Sequence, residues 1–197
     1  MTSPKVDALL DAAEAEFASA GIESGSLRQI MRRAGADPGA VHYHFGRREA
    51  LATAVLERIL VPLNARRLAL LDETVAQGQP LVPQLVEALI RPDVETAHAL
   101  NSQSPGRARL IGAIYTHPSD FVAATVTSHF APVAEAFRPH IEAALPQLSF
   151  GDVAWRIRWC VFGTVGALLT DEAAPFERTA DDLIHELVQT LSAALAA

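Results

Sequence analysis

Apolar residues first recur at helical spacing from Val6. Val6, Leu9, Leu10, Ala13 and Phe17 share one side of a helix that opens behind Ser3 with Pro4 at its first position and stops at Gly21. A second helix is expected from Ser26, whose hydroxyl caps while Gln29 reaches back as in a capping box; it buries Leu27, Ile30 and Ala34 and ends before Gly35. A third takes Asp37 as its cap and Pro38 as its first residue and runs to about Phe45, with Val41 and Phe45 four apart and turned inward together. A long fourth helix starts near Arg48, carries Leu51, Val55, Ile59, Leu63 and Leu70 on or near one side, and is expected to kink at Pro62.

Beyond it the spacing predicts helices over 81–90, 92–100 and, after the loop "NSQSPG", 107–116. Three more follow, over 119–145 with bends at Pro132 and Pro139, over 150–170 and over 179–195. No stretch alternates as a strand would, and there is no internal repeat. The expected fold class is all-α, about nine helices, with a small helix-turn-helix unit over 3–63 and a larger helical body over 64–197.

Charge refines this picture. Between Ser26 and Arg48 stand five arginines (28, 32, 33, 47 and 48) against Asp37, a local +4 on a chain of −7, so the rest carries −11. A small basic face on an acidic body suits a protein that touches a polyanion with that face alone. Asp7, Asp11, Glu14 and Glu16 interrupt the opening helix where an export signal needs an apolar core, and the longest apolar run, between Arg158 and Asp171, is shorter than the roughly 18 to 20 residues that span a bilayer. A cytoplasmic protein with no membrane partner is expected. Cys160, without a second cysteine to pair with, reads as a buried thiol in a reducing compartment.

The chemistry concentrates in "PGAVHYHFGRREAL", Pro38 to Leu51. As a metal site His42 and His44 are badly spaced, because residues two apart on a helix point about 200° apart. As a catalytic base either would need a nucleophile, and Ser26, the nearest hydroxyl besides Tyr43, is committed to capping. Solvated surface residues would leave the small residues Gly39 and Ala40, the histidines and the arginines as coincidence. A nucleic-acid face accounts for them together: Gly39 and Ala40 let a recognition helix approach base edges, Tyr43 and His44 donate to phosphates, Arg48 adds its charge at the start of the next helix, and Arg28 and Arg47 flank the same backbone. Ser26 and His42 complete the candidate DNA-binding set.

On these residues the segment Lys5 to Leu56 resembles the N-terminal domain of TetR-family transcriptional regulators. The likeness is carried by Phe17 and Gly21 closing the first helix, by "SLRQIMRRAGAD", and by "PGAVHYHFGRREAL", where Tyr43 and Phe45 match the family's aromatic core. His42 stands where Tyr or Asn is common, and Arg47-Arg48-Glu49 replaces a Ser-Lys-Glu-like triplet. The resemblance implies a homodimer that binds double-stranded operator DNA of pseudopalindromic sequence, with a small-molecule pocket in the C-terminal helices and a dimer bundle formed by the last two. The sequence carries no recognised nucleophile, metal or cofactor constellation, so no cofactor, no metal and no enzymatic activity are expected.

Pocket candidates are His98, Tyr115, His117, Phe121, His129, Phe130, Trp155 and Trp159. The run "LVPLNARRLALLDE" is similar to a subgroup that includes fatty-acid and acyl-CoA sensors, so a small apolar or amphipathic effector is expected. Cys160, Gly163, Thr164 and Ala167 form a small-residue stripe expected to be the dimer interface, with packing inside the monomer as the alternative. The expected function is a repressor relieved by its ligand. The rivals are an activator or constitutive DNA-binding factor of the same fold and, from another class, a helical enzyme with a site around His117, Asp120 and His129.

Overall fold

The computed structural model describes residues 3–103, 105–116, 118–169 and 179–196, and among these it contains nine helices and no strand. The first, α1 (Pro4–Ala20), buries Leu9, Leu10, Ala13 and Phe17 and ends at Gly21, φ 83°, whose N–H returns to the Phe17 carbonyl. α2 (Leu27–Arg33) is capped as expected by the Ser26 hydroxyl, which accepts from the Gln29 N–H at 3.4 Å. The reciprocal half of the capping box differs. The Ser26 N–H donates to the carboxylate of Glu16 on α1, at 3.0 Å, so a buried acid from another helix does the work expected of Gln29.

α3 (Ala40–Phe45) starts two residues later than the cap at Asp37 suggests. The Ala40 N–H bonds the Asp37 carbonyl at 2.9 Å in a tight turn, and Gly39 takes the cap position. Val41 is buried and Phe45 packs on the core, as their spacing predicts. Gly46, φ 76°, closes the helix in a conformation that favours glycine. α4 (Arg48–Val75) follows, 28 residues long, and at about 1.5 Å per residue spans some 42 Å. Pro62 lies inside it on the exposed side, where water can reach the carbonyl that loses its partner. The boundary expected at residue 63 falls within α4, so one helix serves both units.

α5 (Val82–Gln103) corrects the two helices expected over 81–90 and 92–100, for it runs through Pro92 without a break. It also absorbs Asn101 to Gln103, and α6 (Pro105–Thr116) begins at once, so the loop expected at "NSQSPG" is largely helical. α7 (Asp120–Ala144), α8 (Phe150–Leu169) and α9 (Ala180–Ala196) agree with the sequence spacing. α5 is the axis of the body and packs against α4, α6, α7, α8 and α9, while α1 packs against α2, α4 and α6. Buried side chains from Leu9 on α1 to Leu195 on α9 make one continuous apolar cluster.

Candidate nucleic-acid interface

The exposed side of α3 is what its inward anchors leave over. With Val41 and Phe45 turned to the core, His42, Tyr43 and His44 face out, and Tyr43 is 84 % exposed, a costly place for an aromatic ring unless something covers it. Its ring meets His44 edge to face, centroids 4.9 Å apart. The His42 Nδ1 lies 2.7 Å from the Gly46 carbonyl. Arg28, Gly39 and Arg47 are exposed on neighbouring elements, and Ala40 is half-buried at the first turn. Lys5, absent from the sequence-derived set, lines a cleft of about 600 Å³ together with Gly39, Ala40, Tyr43 and His44. Its position one residue beyond Pro4, at the free end of α1, is the signal that points to it.

Arg48 is placed differently from its neighbours. Its guanidinium donates to the carbonyls of Ile22 and Gly25 and lies over the Phe17 ring, 5.7 Å from the centroid. It faces the loop between α1 and α2, which it ties to the start of α4. Gly25 in that loop lies against Phe17, so close that an added Cβ would come within 2.8 Å of the ring. Ser26 likewise acts through the fold, as the cap of α2.

In the body, sequence reasoning missed the central feature. Arg67 on α4 is fully buried; its Nε donates to the Leu89 carbonyl at 3.0 Å, its Nη1 to Asn64 Oδ1 at 2.6 Å, and its Nη2 to both oxygens of Asp93 at 2.6 and 2.5 Å. Asn64 in turn donates to the His129 carbonyl on α7 at 2.8 Å, and the guanidinium lies 5.6 Å from the centre of the Phe130 ring. Desolvation works against the charge on Arg67, but Asp93, Tyr115 and the hydrogen bonds outweigh it and raise its pKa, while burial raises that of Asp93 against the pull of Arg67. Burial, reinforced by Asp93, pushes the Tyr115 hydroxyl up to about 12, against an opposing pull from Arg67.

The structure thus sets Tyr115 and Phe130 beside Arg67, with the His129 carbonyl one bond further, on Asn64. Tyr115 also meets Phe162 edge to face, at 5.1 Å. Phe121 and His98 are half-buried on α7 and α5, and the His129 ring stands 3.8 Å from the Glu57 carboxylate on α4. His117 lies outside the described residues. Trp155 and Trp159 are not part of this interior group, for they project from the outer side of α8, 66 % and 50 % exposed. The small-residue stripe also divides. Cys160 and Thr164 are buried within the monomer because the face of α8 they share with Val161 and Ile157 packs inward, whereas Gly163 is exposed; the Ala167 side chain lies outside the described residues.

The family model described as "Bacterial regulatory proteins, tetR family" matches residues 9–55, and that described as "Tetracyclin repressor-like, C-terminal domain" matches residues 87–197. The chain belongs to the TetR family of DNA-binding transcriptional regulators. No curated protein matches it. Among solved structures it is similar to the fatty acid degradation regulator FadR from Bacillus halodurans, with a TM-score of 0.72, 12 % identity and coverage of 98 % of this chain and 96 % of that one. Salmonella enterica GusR gives 0.66 and 21 %, covering 100 % and 99 %. FadR from Bacillus subtilis, solved in complex with stearoyl-CoA, gives 0.69 and 13 %, covering 94 % and 97 %. At these identities the likeness shows a shared fold.

Proposed function

We propose that the protein is a cytoplasmic repressor that binds a pseudopalindromic operator as a homodimer and releases it when a small apolar or amphipathic effector enters the body. The observation that carries this reading is the pair of attachments made by α4. At its start Arg48 grips the loop between α1 and α2, and five turns later Arg67 is held by α5 and, through Asn64, by α7. Anything that rearranges the packing of α5 to α7 therefore reaches the recognition helix through one rigid element. In a dimer the two recognition helices have to stand about one DNA turn, roughly 34 to 36 Å, apart, and a shift of α4 alters that spacing.

On this reading Tyr43, His44, Arg28, Arg47 and His42 meet DNA, with Gly39 and Ala40 permitting close approach. Ser26 and Arg48 hold the reading head in shape. Trp155, Trp159 and Gly163 belong to the dimer face, since two large aromatics exposed on one side of a helix call for a partner. The effector meets the group around Tyr115, His129 and Phe130. Fatty acids and their CoA esters are the first class to test, because one of the similar structures is named a fatty acid degradation regulator and another holds stearoyl-CoA.

The experiment is a gel-shift titration on a duplex recovered by selection from a random pool, with long-chain fatty acids and acyl-CoA esters added. An inducer lowers DNA affinity, and by linkage it binds more weakly to the DNA-bound protein by the same factor, within about 5- to 150-fold for a coupling of 1 to 3 kcal/mol. A compound that binds equally with and without DNA is no inducer. If no compound alters DNA affinity, the protein acts as a constitutive DNA-binding factor.

A further inference from the structure

The geometry points to His42 as a base-reading residue that presents a hydrogen-bond acceptor, its Nε2, to the major groove and so selects adenine or cytosine at one position of each half-site. This rests on the reading of α3 as the recognition helix and goes beyond it by fixing which atom reads and what it reads.

The last carbonyls of a helix have no partner within it, and Gly46, just past the end of α3, turns the chain away at φ 76°. The Gly46 N–H returns to the His42 carbonyl at 2.9 Å, and the His42 ring reaches forward so that Nδ1 stands 2.7 Å from the Gly46 carbonyl. Two reciprocal bonds between the same two residues hold the ring in one place. A carbonyl oxygen only accepts, so Nδ1 carries the proton and donates. In the neutral imidazole the other nitrogen is then a bare lone pair. The ring as a whole is exposed, on the same outward arc as Tyr43.

An acceptor is unusual in this setting. Arg28 and Arg47, exposed beside α3, can only donate, and so can Lys5 in the adjoining cleft. The other acceptors nearby are the Asp37 carboxylate, in the turn before the helix, the Tyr43 hydroxyl, which also donates, and the His44 ring, whose two nitrogens can exchange the roles of donor and acceptor. In the major groove the donors are the adenine N6 and cytosine N4 amino groups, whereas guanine shows only acceptors. A fixed Nε2 lone pair is therefore matched to A or C and mismatched to G. Because the Gly46 carbonyl holds the tautomer, the ring cannot exchange its two nitrogens to suit another base.

Selection from a randomised duplex pool in a buffer near pH 8, where free imidazole is neutral, tests this with the wild type, His42→Phe and His42→Arg. Thermal unfolding of each variant first establishes that it is folded. The wild type should enrich a two-fold motif with A or C at one position of each half. His42→Phe should lose that preference by about three- to tenfold, the value of one hydrogen bond, with the other positions unchanged. His42→Arg, which offers only donors, should turn the same position to G. The proposal is overturned if all three proteins enrich the same base at every position, or if the variants bind more weakly to all sequences alike, which is what a purely structural cap would do. Should the wild type enrich no motif at all, sequence-specific binding by α3 fails as well, so that failure is distinct from a failure of His42 alone.

Discussion

Arg67 and Asp93 face each other across the interior of the body, with both oxygens of the Asp93 carboxylate on one nitrogen of a guanidinium that has no exposure to solvent. They come from different helices, α4 and α5. The pair closes a set of bonds that also takes in Leu89, Asn64 and, through Asn64, the His129 carbonyl. Burying such a pair brings little net stability, because both charges give up water. What it supplies is position: a guanidinium with its donors occupied in one geometry fixes the register of α4 against α5.

Removing one partner is therefore far worse than removing both. Asp93→Ala leaves Arg67 charged and buried without its counterion, a loss of about 3 to 5 kcal/mol, which for a chain of this size lowers the melting temperature by roughly 6 to 20 °C. The double variant Arg67→Met/Asp93→Leu should regain most of that loss. If it melts as low as Asp93→Ala, the pair is a net source of stability and the positional argument fails.

At the other end of α4, Arg48→Ala should destabilise the helix-turn-helix by removing the donors to Ile22 and Gly25, and should weaken DNA binding at all salt concentrations alike. Arg47→Ala should instead lower the slope of log affinity against log salt by about 0.9, the share of one phosphate contact. Gel-shift titrations over a range of salt separate the two. An Arg48→Ala slope that falls as well would place that guanidinium on a phosphate when DNA is bound.

Glu16→Ala tests the borrowed cap. The carboxylate accepts from the Ser26 N–H and stands 3.7 Å from Arg33, so its loss exposes the start of α2 to fraying at about 1 to 2 kcal/mol. Hydrogen exchange should quicken at α2 with α7 unaffected; equal quickening in both would mean a global effect.

The small unit was legible because local chemistry sets its ends. The Ser26 hydroxyl caps, Gly21 and Gly46 stop, and Val41 with Phe45 selects the inner face, all readable from neighbouring residues, with only the Glu16 contribution to the start of α2 coming from another helix. Where tertiary structure intervenes the reading slipped. Pro92 reads as a helix break, since it lacks the N–H that the Ala88 carbonyl would accept, yet α5 runs through it; one residue on, the Leu89 carbonyl accepts from Arg67 Nε at 3.0 Å and ties this turn to α4. Arg67 itself hid beside Arg66, an ordinary surface arginine 3.3 Å from Glu73. Its position four after Leu63 and four before Leu71, both buried, was the available signal. Aromatic character alone makes Trp155 and Trp159 pocket candidates, whereas Ile157, Cys160 and Val161 fill the inner face of α8 and leave both tryptophans outside.

Cys160 offers a measure of how closed that inner face is. Burial pushes its thiol up from 9.0 to about 11, which makes the thiolate roughly 100-fold scarcer at pH 8. Alkylation of the native protein at that pH should therefore be slower by at least that factor than in denaturant. Rapid native labelling would show that α8 opens away from the body.

The outer face of α8 carries the last prediction. Among the described residues nothing lies within 4 Å of where a Gly163 Cβ would sit, so a side chain there meets open space among them. Gly163→Ala should then stabilise the helix by up to about 1 kcal/mol through propensity alone. Gly163→Leu is the discriminating change: harmless to the monomer, it would overpack a face pressed against a second copy together with Trp155 and Trp159. Sedimentation of Gly163→Leu and of Trp159→Asp should show monomers, and DNA binding should fall with the dimer because a single half-site holds the protein too weakly. If both variants sediment as dimers, the exposed tryptophans serve some other surface, and the dimer has to be sought elsewhere on the body.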